Sequence, residues 1–236
     1  MIPIKKSPPL SDLVLLQQKA QEVGASPEDA FAMLRNPLKG LVRDQLVTEQ
    51  GGLCAYCMCR IPRNDVGSNI PPIVIEHFIA RNPEDGQDVG QGLDYKNLLA
   101  VCHGNRGVHK TRTLLDLTCD AHRGNTNFRK INPVEPETLT SIFYHIDGRI
   151  DARDSDVQYD LIEVLNLNCP TAPIISERKA ALDALIQELE DVPEEDFSLY
   201  CQTVLNSFLA ESEMKTPYVG ILIWYLSDLS EKLTNT

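Results

Sequence analysis

Four cysteines in the first half of the chain have the spacing of a metal site. Cys54 and Cys57 form a Cys-x2-Cys pair, and Cys102 and Cys119 follow after a gap of about 45 residues. Zinc prefers thiolate ligands, and a structural zinc site closes as a tetrahedron of four. A Cys-x2-Cys turn aims two sulfurs at one metal, so the second pair would complete the set. The sequence therefore predicts a structural Zn²⁺ site at these four residues.

The remaining cysteines leave alternatives open. All of these thiols could be free and buried, because free cysteine packs as a small apolar side chain. Cys59 is a rival zinc ligand, and His103 could replace Cys102. Cys169 and Cys201 lie in apolar helical contexts and are predicted to be packed thiols. The odd total of seven cysteines favours free thiols or zinc in a reducing compartment over disulfides.

A second group of chemically capable residues lies between and beside the cysteines. Glu76 and His77 fall within residues 73–78, a run rich in β-branched and aromatic residues that predicts a strand. Asn97 precedes Cys102 by five residues and predicts the cap of a short helix over 97–102. Asp120 directly follows Cys119. A zinc site that folds this segment would place Glu76, His77 and Asp120 around a second metal.

The remaining pattern predicts a mainly helical protein of the α+β class. Its predicted elements are helices over 11–23, from Ser26-Pro27, from Asn36-Pro37 to Gly51-Gly52 and from 155 onward; an exposed loop over 81–94; an insertion over 103–118; a hairpin over 141–150 that turns at Asp147-Gly148; and a buried apolar segment over 218–226. The N-terminus lacks the apolar stretch of a signal peptide, and no run reaches the ~20 residues of a membrane span. We expect a soluble cytoplasmic protein.

Charge is distributed unevenly along the chain. The formal net charge is −12, yet residues 1–133 carry 16 Lys and Arg against 14 Asp and Glu, so the acidity belongs to residues 134–236. Seven basic residues fall between Lys96 and Lys130, against only Asp116 and Asp120. Such a basic face beside the cysteines and Glu76-His77 would meet phosphates, although a solvated mixed surface explains the same composition.

Four runs carry a resemblance to a known family. They are EQGGLCAYC (49–57), IEHF (75–78), DYKNLLAVCHGN (94–105) and CDAHRGN (119–125). Together they resemble the HNH nucleases of retron and Septu anti-phage systems, the PtuB type. The resemblance implies a zinc-stabilised ββα-metal (HNH) core over 49–133, an N-terminal helical segment over 1–48 packed on it, and a hairpin and acidic helical region over 134–236 that docks a partner.

The resemblance also implies roles for individual residues. Glu76 would ligate a catalytic Mg²⁺ or Mn²⁺, since hard cations prefer carboxylate oxygens. His77 would be the general base on the attacking water, because imidazole titrates near neutral pH. Asn97 would hold the loop that aims the base, a role compatible with capping. Arg123 stands where a basic residue closes the motif and would contact the scissile phosphate, or else form a surface ion pair.

The third motif position departs from the family pattern. The family has His or Asn after the last zinc cysteine, whereas this chain has Asp120. An aspartate can ligate Mg²⁺, so the resemblance carries the metal role to Asp120. His122 is the alternative ligand, and Asn105 and His109 in the insertion are further candidates. His145 lacks any such context and is predicted to be structural.

The leading functional hypothesis is a metal-dependent HNH endonuclease, a phosphodiester hydrolase of antiviral defence. The resemblance implies a PtuA-type ABC/SMC-like ATPase as partner, in some systems with a retron reverse transcriptase and its msDNA, and phage DNA or tRNA as substrate. One alternative is a non-catalytic, zinc-stabilised binding or adaptor module of the same complex, which Asp120 keeps open. Another is a toxin-like nuclease that acts alone.

Overall fold

The computed structural model describes residues 1–61, 73–86, 89–106 and 113–234. Helices dominate them, with two small sheets, so the predicted α+β class is confirmed. The helices are α1 (Ser11–Glu22), α2 (Pro27–Ala32), α3 (Leu38–Glu49), α4 (Cys119–Arg123), α5 (Ser155–Tyr159), α6 (Ile174–Glu190), α7 (Glu194–Ala210) and α8 (Val219–Thr234). The strands are β1 (Val74–His77), β2 (Leu98–Val101), β3 (Ile142–Tyr144) and β4 (Ile150–Ala152).

The N-terminal helices begin and end where their sequence indicates. Ser26 caps α2 by accepting from the backbone N–H of Asp29 at 3.1 Å, with Pro27 in the first helical position. Helix α3 stops before Gly51 and Gly52, whose φ values of +65° and +72° suit glycine. The predicted boundaries of these helices are therefore confirmed to within a few residues.

Strands β1 and β2 form an antiparallel pair that lies at the centre of the candidate site. Val74 pairs with Val101 and His77 with Leu98. The helix predicted over 97–102 is wrong: only a 3-10 turn, Tyr95–Asn97, precedes β2. All four residues of β2 are buried. A short apolar run buried on both faces suits a strand as well as a helix, and here β1 supplies the partner that decides it.

Gln50 joins α3 to this sheet and to the first cysteine pair. Its side-chain amide donates to the carbonyls of Leu53 at 2.8 Å and Ala100 at 2.7 Å, and accepts from the Ala100 N–H at 2.8 Å. The Ala55 N–H donates to the same Ala100 carbonyl at 3.1 Å. A buried amide with these bonds fixes the distance between the cysteine turn and β2.

The C-terminal half is a hairpin followed by helices, as predicted. Strands β3 and β4 pair antiparallel around Gly148, whose φ is +89°. Helix α8 packs against α7 and β3, and its first turns are buried, as the apolar pattern over 218–226 indicates. Among the described residues, no helix is both long and apolar enough to cross a membrane.

Hydrogen bonds join the three predicted divisions of the chain. The Ile4 N–H donates to the Pro133 carbonyl at 2.8 Å, and the Tyr218 N–H donates to the Met58 carbonyl at 3.0 Å. The division at residues 48 and 133 stays a prediction.

Candidate metal centre and active site

Cys54, Cys57, Cys102 and Cys119 converge on one point. Their four sulfurs all lie within 4.8 Å of one another, with Cys57 Sγ 3.8 Å and Cys119 Sγ 3.7 Å from Cys102 Sγ. Four sulfurs placed ~2.3 Å from a tetrahedral zinc would be about 3.8 Å apart. The cluster can therefore hold a structural metal such as zinc, in the predicted ligand set.

Three separate parts of the chain bring these thiols together. Around the first pair the chain turns back on itself: the Cys54 N–H donates to the Cys59 carbonyl at 3.0 Å, and Met58 has a φ of +63°. Cys102 follows the last residue of β2. Cys119 begins α4, where its N–H donates to the Leu165 carbonyl at 2.8 Å. A metal at this point would fasten the cysteine turn, the sheet and α4 to one another.

The rival ligands lie outside this set of four sulfurs. The Cys59 thiol interacts with those of Cys54, Cys57 and Cys102 but is not one of the four sulfurs that lie within 4.8 Å of one another. Hydrogen bonding with the Cys119 thiol lowers the pKa of Cys102 to about 6. A bound cation would stabilise the thiolate form of these ligands. As predicted, Cys169 and Cys201 are buried elsewhere.

The two ends of the predicted insertion between Cys102 and Cys119 lie close together. The Thr118 N–H donates to the Gly104 carbonyl at 3.1 Å, and a Cβ at Gly104 would lie 2.0 Å from the Thr118 carbonyl oxygen. The Asn166 side chain donates to the carbonyls of Leu115 and Leu117, at 3.0 and 2.9 Å. Contacts between the two ends of this long segment therefore bring the two cysteines together.

Glu76 and Asp120 bring two carboxyl groups into contact beside the thiol cluster. Their side chains are hydrogen-bonded to each other, and Glu76 is 6 % exposed. Burial raises the pKa of Glu76 to about 8, Arg123 opposes this rise, and Asp120 adds to it. Two carboxylates this close repel each other, so a cation bound between them would be favoured. Their oxygen donors suit Mg²⁺ or Mn²⁺.

The side chains of Asp120 and His122 contact different parts of the chain, although both residues lie on α4. Asp120 faces Glu76 and also accepts from Arg106 Nη1 at 2.9 Å. His122 Nδ1 lies 2.9 Å from the carbonyl oxygen of Val164, in the π-helical turn after α5. Of the two candidates for the third position, Asp120 is the one beside Glu76.

The further candidates for that position are in the insertion. The Asn105 side chain donates to the Asp116 carbonyl at 3.2 Å. His109 lies outside the described residues.

His77 is buried at the end of β1. Its Nε2 lies 2.9 Å from the Gly92 carbonyl oxygen, so this nitrogen carries the proton and Nδ1 is left as the acceptor. Its ring meets the Phe31 ring edge-on, with 4.5 Å between centroids. Burial lowers the pKa of His77 to about 4. The imidazole is therefore neutral at neutral pH and able to accept a proton, but the expectation that it titrates near neutral pH is wrong, because burial makes it a weaker base.

Asn97 ties together the two chain segments that flank His77. Its Oδ1 accepts from the Ile79 N–H at 2.6 Å, and its Nδ2 donates to the Ile79 carbonyl at 3.0 Å and the Gln91 carbonyl at 3.4 Å. A Cβ on Gly90 would lie 1.9 Å from the Ile79 carbonyl oxygen, so the chain there runs close against residue 79. These contacts suit the predicted role of holding the loop.

Arg123 does not have the surroundings predicted for it. Its side chain has no exposed surface and forms an ion pair with Glu76. It also donates to the carbonyls of His77 at 3.0 Å, Phe78 at 2.6 Å and Thr126 at 2.7 Å. A buried guanidinium with these partners positions Glu76 and the end of β1. This burial opposes both sequence interpretations, a phosphate contact and a surface ion pair.

Among the described residues, most cations of the predicted basic face around residues 96–130 are paired with carboxylates. Besides Arg106 on Asp120, Arg129 lies 3.7 Å from Asp156, and Lys130 forms a hydrogen-bonded ion pair with Asp154. Lys110 and Arg112 lie outside the described residues. Of the described cations in this region, Arg106, Arg129 and Lys130 are therefore already paired with carboxylates.

Two residues of the site gave no clear signal in the sequence. The Tyr56 hydroxyl lies 3.4 Å from Glu76 Oε1, and Phe31 covers the His77 ring from α2. Tyr56 lies within the Cys-x2-Cys run, which could have drawn attention to it. Nothing in the sequence around Phe31 indicates a contact with a residue on β1.

Comparison with known proteins gives one finding that bears on this geometry. The chain is 26 % identical over 192 residues to an Escherichia coli protein named "Retron Ec83 putative HNH endonuclease". The similar region covers 67 % of this chain and 71 % of that protein. No family model matches the chain. The similarity supports the resemblance to HNH endonucleases that the sequence runs indicate.

Proposed function

We propose that the chain is a metal-dependent HNH endonuclease that hydrolyses phosphodiester bonds in nucleic acid. The observation that carries this proposal is the contact of Glu76, on β1 and next in sequence to His77, with Asp120, on α4, beside a four-thiol cluster. The strands and helix follow one another in the order of a ββα-metal core. The name of the Escherichia coli relative supports the same function.

Each residue has a role that its contacts support. Glu76 and Asp120 would hold Mg²⁺ or Mn²⁺, which when bound stabilises negative charge on the phosphate and the leaving oxygen. His77 accepts a proton from the attacking water at Nδ1, while Gly92 fixes the tautomer. Asn97 holds the loop that positions this ring. Arg123 orients Glu76, and zinc at the thiol cluster joins α4 to the sheet.

The biological context of this proposal is anti-phage defence. The relative's name places that protein with a retron, so a reverse transcriptase and msDNA are candidate partners here. The resemblance in sequence adds a PtuA-type ATPase, with phage DNA or tRNA as substrate. The acidic region from residue 134, with exposed Leu199 and Leu209 on α7, is where we expect such a partner to dock.

One observation favours a second candidate, a non-catalytic binding or adaptor module. Both carboxylates already have cationic partners, Arg123 for Glu76 and Arg106 for Asp120. Such a module would contain zinc, would not depend on a second metal and would be indifferent to loss of His77.

The deciding experiment compares cleavage by wild type, His77→Ala and His145→Ala. The substrates are plasmid DNA, single-stranded DNA and tRNA, with Mg²⁺ or Mn²⁺ added to zinc-loaded protein. If the partner ATPase is required, it is added to every reaction. We expect cation-dependent cleavage that His77→Ala reduces by at least ~10²-fold, the lower range for loss of a general base. His145 lies in the hairpin, half-exposed, so its variant should stay active.

Cleavage that survives in His77→Ala would remove the general-base role. Absence of cleavage of all three substrates by wild type, alone and with the partner, would favour the adaptor. Circular dichroism and zinc content establish that each variant is folded.

A further inference from the structure

A positively charged groove opens on the Phe31 side of His77. It has a volume of about 510 Å³ and lies between the N-terminal helices and β1. Its polar lining is supplied by Asn36, Lys39, Arg43 and Arg81, and its apolar lining by Phe31 and residues 73–75. None of the described lining residues is an Asp or Glu. The groove is thus lined by both cationic and apolar side chains.

The cations of this groove are largely unneutralised. Within the described parts of the chain, Lys39 and Arg81 form no ion pair. Arg43 lies near one carboxylate, with its Nε 3.8 Å from Asp44 Oδ1, which is too long for a hydrogen bond. That Nε is buried and has no hydrogen-bond partner among the described residues. A buried N–H without an acceptor is costly, so an anionic oxygen in the groove would satisfy it.

Phe31 links the groove to the candidate general base. Its ring contacts His77 on one side, while Lys39 Nζ lies 5.3 Å and Arg81 Cζ 4.7 Å from its centroid. Arg81 is close enough to contribute to the lowered pKa of His77. Cation–π contacts hold both charges beside the ring without neutralising them. Positive charge is therefore positioned next to the residue that would activate water.

We propose that this groove binds the phosphodiester backbone of the nucleic-acid substrate on its approach to His77. The inference rests on the proposed function and names the surface that the substrate uses. It assigns to Lys39, Arg43 and Arg81 the electrostatic role that the sequence indicated for residues 96–130. In a chain with a net charge of −12, this local cluster of largely unneutralised cations would attract a polyanion.

The test is a binding measurement with a charge-matched control. The groove variant is Lys39→Gln/Arg43→Gln/Arg81→Gln, and the control variant is Lys19→Gln/Lys179→Gln/Lys232→Gln, on helices away from the site. Fluorescence anisotropy follows single-stranded DNA, the RNA of the same sequence and duplex DNA. Zinc-loaded protein is used without Mg²⁺ or Mn²⁺, at several salt concentrations.

The groove variant should bind at least ~10-fold more weakly at low salt, and the magnitude of the slope of log K against log salt should fall by ~2 on a single strand and ~3 on a duplex. Each lost phosphate contact removes ~0.7 from the slope on a single strand and ~0.9 on a duplex. The control should bind like wild type. In cleavage, the groove variant should show a raised KM. The nucleic acid with the largest difference is the preferred substrate class.

The outcomes separate the two proposals. Equal binding by wild type and the groove variant overturns the groove and leaves the nuclease proposal intact. Equal weakening in groove and control variants shows that only total charge matters, which also overturns it. A wild type that neither binds nor cleaves any of the three overturns the nuclease proposal itself. If the triple variant does not fold, Lys39→Gln and Arg81→Gln are measured singly, because neither side chain has a polar partner among the described residues.

Discussion

Replacing Arg123 with methionine tests the buried ion pair that supports the candidate site. The substitution keeps a long apolar stem but removes the charge that faces Glu76. Breaking a buried pair by removing one partner typically costs ~3–5 kcal/mol. The carbonyls of His77, Phe78 and Thr126 also lose their donor. We therefore expect the free energy of unfolding to fall by at least ~3 kcal/mol, a shift of about 1.5 M in the urea midpoint at a slope of ~2 kcal/mol per M.

The matched control is Arg106→Met, which removes the other arginine of the same carboxyl pair. Arg106 is 48 % exposed in its ion pair with Asp120, so its loss should cost under ~1 kcal/mol. Adding Glu76→Gln to Arg123→Met should recover part of the loss, because no unpaired carboxylate then remains. The assay is urea unfolding of zinc-loaded protein at pH 8, followed by circular dichroism. A midpoint for Arg123→Met within ~0.5 M of wild type would refute the reasoning.

The other predictions concern the metals and the third motif position. Elemental analysis should find about one zinc per chain, and Cys102→Ser should lose it, because four thiolates close the site; zinc retained in that variant would contradict the ligand set. Asp120→Ala should abolish cation-dependent cleavage while His122→Ala retains most of it, since only Asp120 lies beside Glu76; the reverse result would make His122 the ligand. With the pKa of Glu76 raised to about 8, protons compete with the cation, so apparent Mg²⁺ affinity should fall ~10-fold per pH unit below 8. The pH below which activity is lost should then decrease as the Mg²⁺ concentration is raised. If that pH does not change with Mg²⁺ concentration, the titration of another group limits activity.

Sequence reasoning succeeded where local chemistry decides structure. Ser26-Pro27 begins a helix and Gly51-Gly52 ends one because capping and backbone conformation are local properties. The four cysteines could be grouped because zinc restricts the choice of ligand. It failed at residues 97–102, where a short apolar run fits a helix and a strand equally well. Only pairing with β1 makes that run a strand, and this partner is about twenty residues away.

Arg123 shows a second limit. A basic residue near the end of a motif that resembles a nuclease suggests a phosphate contact, and the sequence contains no sign of its burial. In the structure it is enclosed by Glu76 and three backbone carbonyls that come from two separate segments. Lys39 and Arg43 raise the converse problem, because they lie outside every motif and are distant in sequence from His77. Their place in the groove follows from the contact of Phe31, on α2, with His77 and from the packing of α3 against β2.

The sequence by itself determined the chemistry: four thiols spaced for one metal, a Glu-His pair on a strand, and a carboxylate directly after the last thiol. Side-chain types and short spacings are enough for this, because metals and proton transfer demand particular donors. Only the tertiary structure decided how these groups are arranged. It set Asp120, not His122, against Glu76, buried Arg123, and placed Lys39, Arg43 and Arg81 around the groove beside Phe31. Burial and pairing depend on which distant segments meet, and this is settled by packing of the whole chain.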